Sequence, residues 1–372
     1  NEIGCVCYAA PIFAGDGQPV AAISVSVPTA RLTDRLGLDI PQAVVEAARA
    51  ITQRMARSET GEPGAEMKPS RRGARRQTLL GLAFASPFII GGAIFIVWPT
   101  IASALYSFTD FNLFQAPRFV GIANYSQMFQ DPTFWKALVN TAVLTVFGVP
   151  LTIVISLVGA HLLNLPVFGQ PIYRALVYVP TIVPAVVGGY LWRWMLNTEY
   201  GFVNYFLGLL HLPQPLWLDD PAWGKPAILL MCMWTIGGTT IIYLAALKEV
   251  PAELHEAAQL DGAGFFARFR NITWPTISPV TLFQTIVTII AYLQIFTQPY
   301  LLTQTRLNES SGGPGQSMLT YAMYLYQNAF VFLKMGYASA MAWVLFLITL
   351  VVTLLLLWSS RRWVHYGSDE ER

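Results

Sequence analysis

Glu256-Ala257-Ala258-Gln259-Leu260-Asp261-Gly262, followed by Ile272-Thr273-Trp274-Pro275, is a polar, helix-forming stretch between two long apolar runs, residues 224–247 and 277–302. Pro251 suits the first turn of a helix because its ring presets φ. Glu253 and Glu256 fall early in that helix, where the macrodipole favours acids. Gly262 and Gly264 break it, and residues 265–272 resume a second short helix that ends before Pro275. Two short helices with a glycine corner make a compact knob. Ala257 and Ala258 are small enough to let such a knob press closely against another surface.

The rest of the chain explains why a polar knob is unusual here. Of its 372 residues, 54% are hydrophobic and 12% charged, with a mean hydropathy of +0.48. Ordinary globular domains carry about 25% charged residues, so most of this surface is built to face lipid. Six apolar runs are long enough to cross about 30 Å of hydrocarbon: residues 79–107, 137–163, 175–196, 224–247, 277–302 and 338–358. Their centres are almost uncharged, as burial in lipid demands. Pro150, Pro180 and Pro184 lie inside them, which membrane bundles tolerate. The predicted fold class is an all-α integral membrane protein of six helices.

Lys and Arg concentrate in cytoplasmic loops. With the segment before the first run placed inside, the inner segments carry Lys68, Arg71, Arg72, Arg75, Arg76, Arg174, Lys248, Arg268, Arg270, Arg361, Arg362 and Arg372. The outer segments carry Arg118, Lys136, Lys225, Arg306 and Lys334. Twelve against five places both termini and the knob in the cytoplasm. Trp98, Trp135, Trp192, Trp194, Trp217, Trp223 and Trp358 fall near run ends, where amphipathic rings anchor at the interface.

Several function classes are excluded by what is missing. No Gly-x-x-x-x-Gly-Lys-Ser/Thr phosphate loop occurs, since Gly224-Lys225 is followed by Pro226 and lacks the upstream glycine. The histidines, His161, His211, His255 and His365, are dispersed and suggest no catalytic triad. Cys5 and Cys7 are too close for the usual zinc-ligand spacing, and Cys232 sits in an apolar run. The formal net charge of +2 gives no clustered basic face for nucleic acid. The chain is therefore expected to bind no cofactor and no metal, and to catalyse no reaction itself.

Glu-Ala-Ala, three residues, Gly, nine residues and Ile-x-x-Pro resembles the loop of permease subunits of ABC importers, of the type I architecture. The resemblance extends through Tyr106-Ser107-Phe108-Thr109-Asp110-Phe111-Asn112, Gly121-Ile122-Ala123-Asn124-Tyr125, Val179-Pro180-Thr181-Ile182-Val183-Pro184, Trp192-Arg193-Trp194-Met195 and Gly336-Tyr337-Ala338. These are similar to carbohydrate-uptake permeases of the maltose and glycerol-3-phosphate type, specifically the first of their two permeases. The resemblance implies three partners beside membrane lipid: a second permease, an ABC ATPase dimer that uses ATP and Mg, and an extracytoplasmic solute-binding protein. It implies a multi-pass protein of the bacterial inner membrane. It also implies ATPase coupling through the loop of residues 248–276, carried by Glu256, Ala257, Ala258, Asp261, Gly262, Ile272 and Pro275. Two departures stand out. Trp274 occupies a position usually held by Leu, and residues 304–311 intervene before Gly312-Gly313-Pro314, enlarging an outer loop.

A transported molecule would cross near mid-membrane, among polar groups on facing helices. In the fifth run Gln284, Thr288, Tyr292 and Ile295 form a stripe at helical spacing. In the fourth, Trp234, Thr235, Gly238 and Thr239 combine a ring, hydroxyls and a close-approach glycine. Hydroxyls and amides suit a neutral sugar, with glycerol-3-phosphate or another polyol as the alternative. The same polar and small residues also serve interhelical packing. A secondary transporter would instead carry ionisable residues inside its spans.

Residues 1–56 read differently. Tyr8 to Phe13 and Pro19 to Val27 alternate like strands, with Ala14-Gly15-Asp16-Gly17 as the turn. Residues 41–56 have helical spacing, with Val44, Val45, Ala48 and Ile51 on one side. Gly4-Cys5-Val6-Cys7-Tyr8-Ala9-Ala10-Pro11, Asp16-Gly17, Ala21-Ala22-Ile23-Ser24-Val25-Ser26-Val27-Pro28 and Arg31-Leu32 resemble the end of the effector-binding domain of IclR-type regulators. The expected organisation is a small α+β fragment at 1–56, a linker and basic tail at 57–78, and a permease domain at 79–364. Met67-Lys68-Pro69-Ser70-Arg71-Arg72 resembles a permease start. Residues 1–66 are then read as the remnant of a neighbouring regulator, left by gene fusion or a misplaced start, rather than as a sensor.

Overall fold

The computed structural model describes residues 5–14, 18–28, 36–59, 71–304 and 312–365. Gly4, the expected turn residues 15–17, Arg31-Leu32, residues 60–70 of the linker with the Met67-Lys68-Pro69-Ser70 start, and residues 305–311 of the insertion lie outside them. Two compact units are present, Asn1–Ala93 and Ile94–Arg372.

In the first unit, β1 (Cys5–Phe13) and β2 (Pro19–Pro28) pair antiparallel, with Ala10 opposite Ile23 and Ile12 opposite Ala21. Alternation sends Ala10 and Ile12 to one face, where α1 (Leu36–Glu59) covers them with Val44 and Ala48. Val45 and Ile51, expected on the packed side, are exposed. The row that meets the hairpin is Ile40, Val44 and Ala48, at four-residue spacing, and Val45 and Ile51 fall to either side of it. Helix α2 (Arg71–Gly92) completes the described part of this unit.

The second unit is helical. Its elements are α3 (Trp98–Tyr106), α4 (Ala123–Gln130), α5 (Pro132–Asn164), α6 (Gln170–Ile182), α7 (Ala185–Met195), α8 (Phe202–Leu209), α9 (Gly224–Trp234), α10 (Gly237–Lys248), α11 (Ala252–Leu260), α12 (Phe265–Arg268), α13 (Trp274–Leu293), α14 (Thr297–Thr303), α15 (Tyr321–Tyr326) and α16 (Met335–Ser360). Leu80–Tyr106, Pro132–Asn164, Phe265–Thr303 and Met335–Ser360 are each long and apolar enough to cross a membrane. The third and fourth runs are bent pairs, α6 with α7 at 99° and α9 with α10 at 51°. These four helices and two bent pairs account for the six apolar runs. The first bend follows from Pro184, whose ring drives Val183 out of the helical region to φ −64°, ψ 126°.

Two expectations change. The helix after Gly264 does not end before Pro275. It passes through a π turn, Phe269–Thr273, directly into α13, with Pro275 in the first turn of α13. The wider turn accommodates the missing N–H and the ring that would break a regular helix. Trp192 is no interfacial anchor: it is buried, with its ring centroid 6.1 Å from that of Trp234.

The core joins α5, α9, α13 and α16 through Leu144, Ile228, Tyr292 and Met341. Polar side chains fasten the segment before α15 onto α5. Asn140 donates to the carbonyls of Gln316 and Leu319, each at 2.9 Å, and Thr141 accepts from the Tyr321 N–H at 2.8 Å. Asp131 caps α5 by accepting from the Thr133 N–H at 2.8 Å. Its other oxygen accepts from Tyr324 and, at 3.1 Å, from Tyr337.

That carboxyl titrates below its ordinary value. Partial burial pushes it up, but hydrogen bonds from Tyr324, the Thr133 N–H and Tyr337 outweigh the burial. Its stabilisation is complete above the ordinary value of 3.8 and is lost as pH falls through the depressed one. Asp131→Asn is expected to lower stability at pH 7 by about 1–2 kcal/mol. Thermal unfolding of the purified protein should show the two forms converging as the pH is taken below that range.

Candidate functional site

Parts of α5, α9, α10, α13 and α14, with the two breaks between them, line a cavity of about 360 Å³ within the span region. On α13, Gln284, Thr288 and Tyr292 recur every four residues and so share one face. All three are buried and all line the cavity. Thr152 of α5 faces them, its hydroxyl 3.2 Å from that of Tyr292. Thr235 enters from the break between α9 and α10, and Thr239 from the next turn. Gln294 comes from the break between α13 and α14, and Thr297 and Gln298 from the first turn of α14.

One group in this cavity is unsatisfied. The Gln284 amide nitrogen is buried and has no hydrogen-bond partner among the described residues. A buried donor left unpaired costs about 1–3 kcal/mol, which a hydroxylated ligand would recover. Among the described residues, no charged side chain lines the cavity.

Six of the eight residues expected along the path, Thr235, Thr239, Gln284, Thr288, Tyr292 and Ile295, are brought together here. The other two are not. Trp234 turns to Trp192, and Gly238 lies beside Thr181, whose methyl group would be 3.7 Å from an added Cβ. Thr152 was not singled out from sequence. Its signal was a polar residue at four-residue spacing from Gly148 and Ser156 within an otherwise apolar run.

The knob is built as a capped corner. Helix α11 ends with Gly262 at φ +78°, and the Gly262 N–H donates to Gln259 O at 3.0 Å. The Ala263 N–H donates to Ala258 O at 2.8 Å. This pair of bonds is the Schellman arrangement, which favours glycine at the left-handed position. Glu256, Ala257 and Asp261 are exposed, Ala258 is half-buried, and Ile272 and Pro275 are half-buried at its root. Sequence reading passed over the two most exposed apolar side chains, Leu260 at 90% and Phe266 at 82%. The available signal was a pair of large apolar residues flanking the glycine corner of a polar loop.

The model for the binding-protein-dependent transport system inner membrane component matches residues 148–365. The chain belongs to that family. It is a multi-pass inner membrane permease, and the cavity and knob both fall within the matched region. A second model, the C-terminal region of the bacterial transcriptional regulator IclR, matches residues 1–53. The chain is 38% identical to the probable ABC transporter permease YesP of Bacillus subtilis over 84% of its own length and 100% of that protein. It is 36% identical to SmoG of Agrobacterium fabrum, a sulfoquinovosyl glycerol transport permease, over 74% and 88%. It is 32% identical to LacF of Rhizobium radiobacter, a lactose transport permease, over 76% and 94%. A chain of a bacterial alginate ABC transporter, solved with an alginate-bound periplasmic protein, shares the fold. Its TM-score is 0.65 and its identity 24%, covering 77% of this chain and 96% of that one.

The contact between α5 and α13 depends on Gly148. A Cβ there would lie 2.3 Å from the Tyr292 ring, far inside van der Waals contact. Gly148→Ala is expected to destabilise the permease by about 1–3 kcal/mol through overpacking. In a Tyr292→Ala background the penalty should vanish, as a double-mutant cycle on thermal stability would show.

Proposed function

We propose that this chain is one permease half of an ATP-driven sugar importer. It holds sugar in the Gln284–Thr288–Tyr292 cavity and is coupled to an ATPase dimer through the 256–275 knob. The observation that carries the reading is the unpaired Gln284 amide in a polar cavity whose described lining residues are uncharged. Amide and hydroxyl groups complement sugar hydroxyls, and the Tyr292 ring offers a stacking face. The neutral lining favours a sugar or polyol over glycerol-3-phosphate, whose phosphate would need a cation. Relatives named for lactose and sulfoquinovosyl glycerol support the sugar class.

Without a phosphate loop the chain needs a partner for ATP and Mg, and is itself no enzyme. The loop charges favour both termini and the knob in the cytoplasm, with the solute-binding protein on the opposite side and a second permease completing the pathway. Exposed Leu260 and Phe266 give the knob an apolar tip suited to a cleft in the ATPase, with Glu256 and Asp261 beside it. Residues 1–56 are a separate fragment without a part in transport.

Proline at 262 cannot adopt positive φ and cannot donate to Gln259. Gly262→Pro is therefore expected to reduce ATP-driven uptake of lactose or a related sugar by more than tenfold in proteoliposomes carrying the whole complex. Unchanged uptake and ATPase stimulation would sink the coupling role. Removal of residues 1–66 should leave both rates within twofold of the full chain, and a loss of uptake at normal membrane abundance would show that the fragment contributes.

A further inference from the structure

A second cavity, of about 520 Å³, lies beyond the end of α7 and is distinct from the Gln284 cavity. Helix α14 links them. Its first residues, Thr297 and Gln298, line the deeper cavity, and its last, Leu302 and Thr303, line this one. Thr297 and Thr303 are six helical steps apart, roughly 9 Å. The volume falls in the range of small-molecule sites.

The lining combines rings with hydrogen-bonding groups. Trp194 and Tyr200 contribute large exposed aromatic faces, at 56% and 64% exposure. Arg193 is half-buried, lines the cavity, and has no hydrogen bond or ion pair among the described residues. Asp219 is fixed by the Thr198 hydroxyl, which donates to it at 2.7 Å. Asn197 accepts from the N–H groups of Glu199 and Tyr200 at 2.9 and 3.1 Å, which shapes the turn carrying Tyr200. Trp194, Thr198 and Tyr200 also line an adjoining cavity of about 560 Å³. The rings thus form a ridge between two polar hollows.

Such a ridge has more chemistry than an interfacial anchor requires. A Trp that only anchors needs no free guanidinium and no ordered carboxylate beside it. Stacking faces flanked by a five-donor cation and an acceptor match the apolar face and hydroxyl edge of a pyranose. Two adjoining hollows leave room for more than one ring. We propose that this groove is an outer sugar subsite, where Trp194 or Tyr200 stacks on a pyranose ring, Arg193 donates to it and Asp219 accepts from it. An oligosaccharide held there has one end within a helix length of the deeper cavity. The proposal rests on the sugar-import reading, although it places sugar at a different set of residues.

The test uses the intact transporter in nanodiscs without its solute-binding protein, titrated by calorimetry with lactose and with an alginate disaccharide. In a Tyr292→Ala background, which disables the deeper cavity, at least one probe is expected to bind still. Adding Trp194→Ala or Arg193→Ala should weaken that binding about tenfold or more, the loss of roughly one charge-assisted hydrogen bond. Trp194→Phe, which keeps an aromatic face, should retain most of it. A larger loss on Arg193→Ala for the alginate disaccharide assigns the guanidinium to a carboxylate, and equal losses assign it to hydroxyls; both support the subsite. If neither probe binds once Tyr292 is removed, or if binding survives both Ala variants unchanged, the proposal is wrong. It is equally wrong if those variants keep sugar binding but, in a separate pull-down with the solute-binding protein added back, lose its capture, which would make the groove a protein-docking face. Loss of part of the total binding on Tyr292→Ala supports both sites, whereas total binding left unchanged in affinity and stoichiometry by Tyr292→Ala, yet lost with Arg193→Ala, would overturn the deeper-cavity reading and leave this one standing.

Discussion

Hydrocarbon offers no hydrogen bonds, so a spanning helix can break only where something else takes up its freed backbone groups. That constraint organises the permease. At the α9–α10 break, the Thr235 carbonyl receives the Thr181 hydroxyl at 3.4 Å. The Cys232 carbonyl is taken by the Thr235 hydroxyl at 3.1 Å and by the Thr235 N–H at 3.2 Å. At the α13–α14 break, the Ile295 carbonyl receives the buried Thr320 hydroxyl at 2.8 Å. Both breaks border the same cavity. The residues that permit irregular backbone inside a span therefore also create the polar hollow between spans.

Thr320 depends in turn on the fastening of its own segment. Asn140 and Thr141 on α5 bind the backbone at Gln316, Leu319 and Tyr321. Asp131, one residue before α5, holds Tyr324 and Tyr337. One face of α5 thus sets the returning segment at one end, and Thr152 meets Tyr292 three turns further along. Neutral amides and hydroxyls perform all of this within the spans. Their burial costs less than that of charges and is recovered by each bond made.

Much of this was legible in the sequence, for identifiable reasons. Spans declare themselves through apolar length, and the knob through glutamates, glycines and its apolar flanks. Gln284, Thr288 and Tyr292 stood out because α13 is regular from Trp274 to Leu293, so their four-residue spacing keeps one face. The break after Leu293 carried no such mark, since neither proline nor glycine occurs at Gln294-Ile295-Phe296. It is held by Thr320, a partner 25 residues away. The same kind of distance hid Thr152, whose partner is 140 residues away. Trp234 was assigned to the cavity on the assumption of a continuous fourth helix. The helix ends at that residue, and its ring meets Trp192 instead.

The knob and the cavity are mechanically related in a way that the motif alone does not convey. From Phe265 the chain is helical through the π turn and along α13, with no break before Gln294. Phe265 and Gln284 are therefore about 28 Å apart along one element. A force applied at the Gly262 corner is not dissipated in a flexible loop. The corner itself is locked by its two backbone bonds, and Pro275 lies inside the helix rather than at its end. In the proposed importer, displacement of the knob by the ATPase displaces the Gln284–Thr288–Tyr292 face relative to Thr152 on α5. The hydroxyl contact of Tyr292 with Thr152, packed over Gly148, is where those two faces meet. Coupling by this route requires a stiff element with two resting positions. The π turn, a wider and less regular stretch at the root of α13, is where that element departs from regular helix between the knob and the cavity.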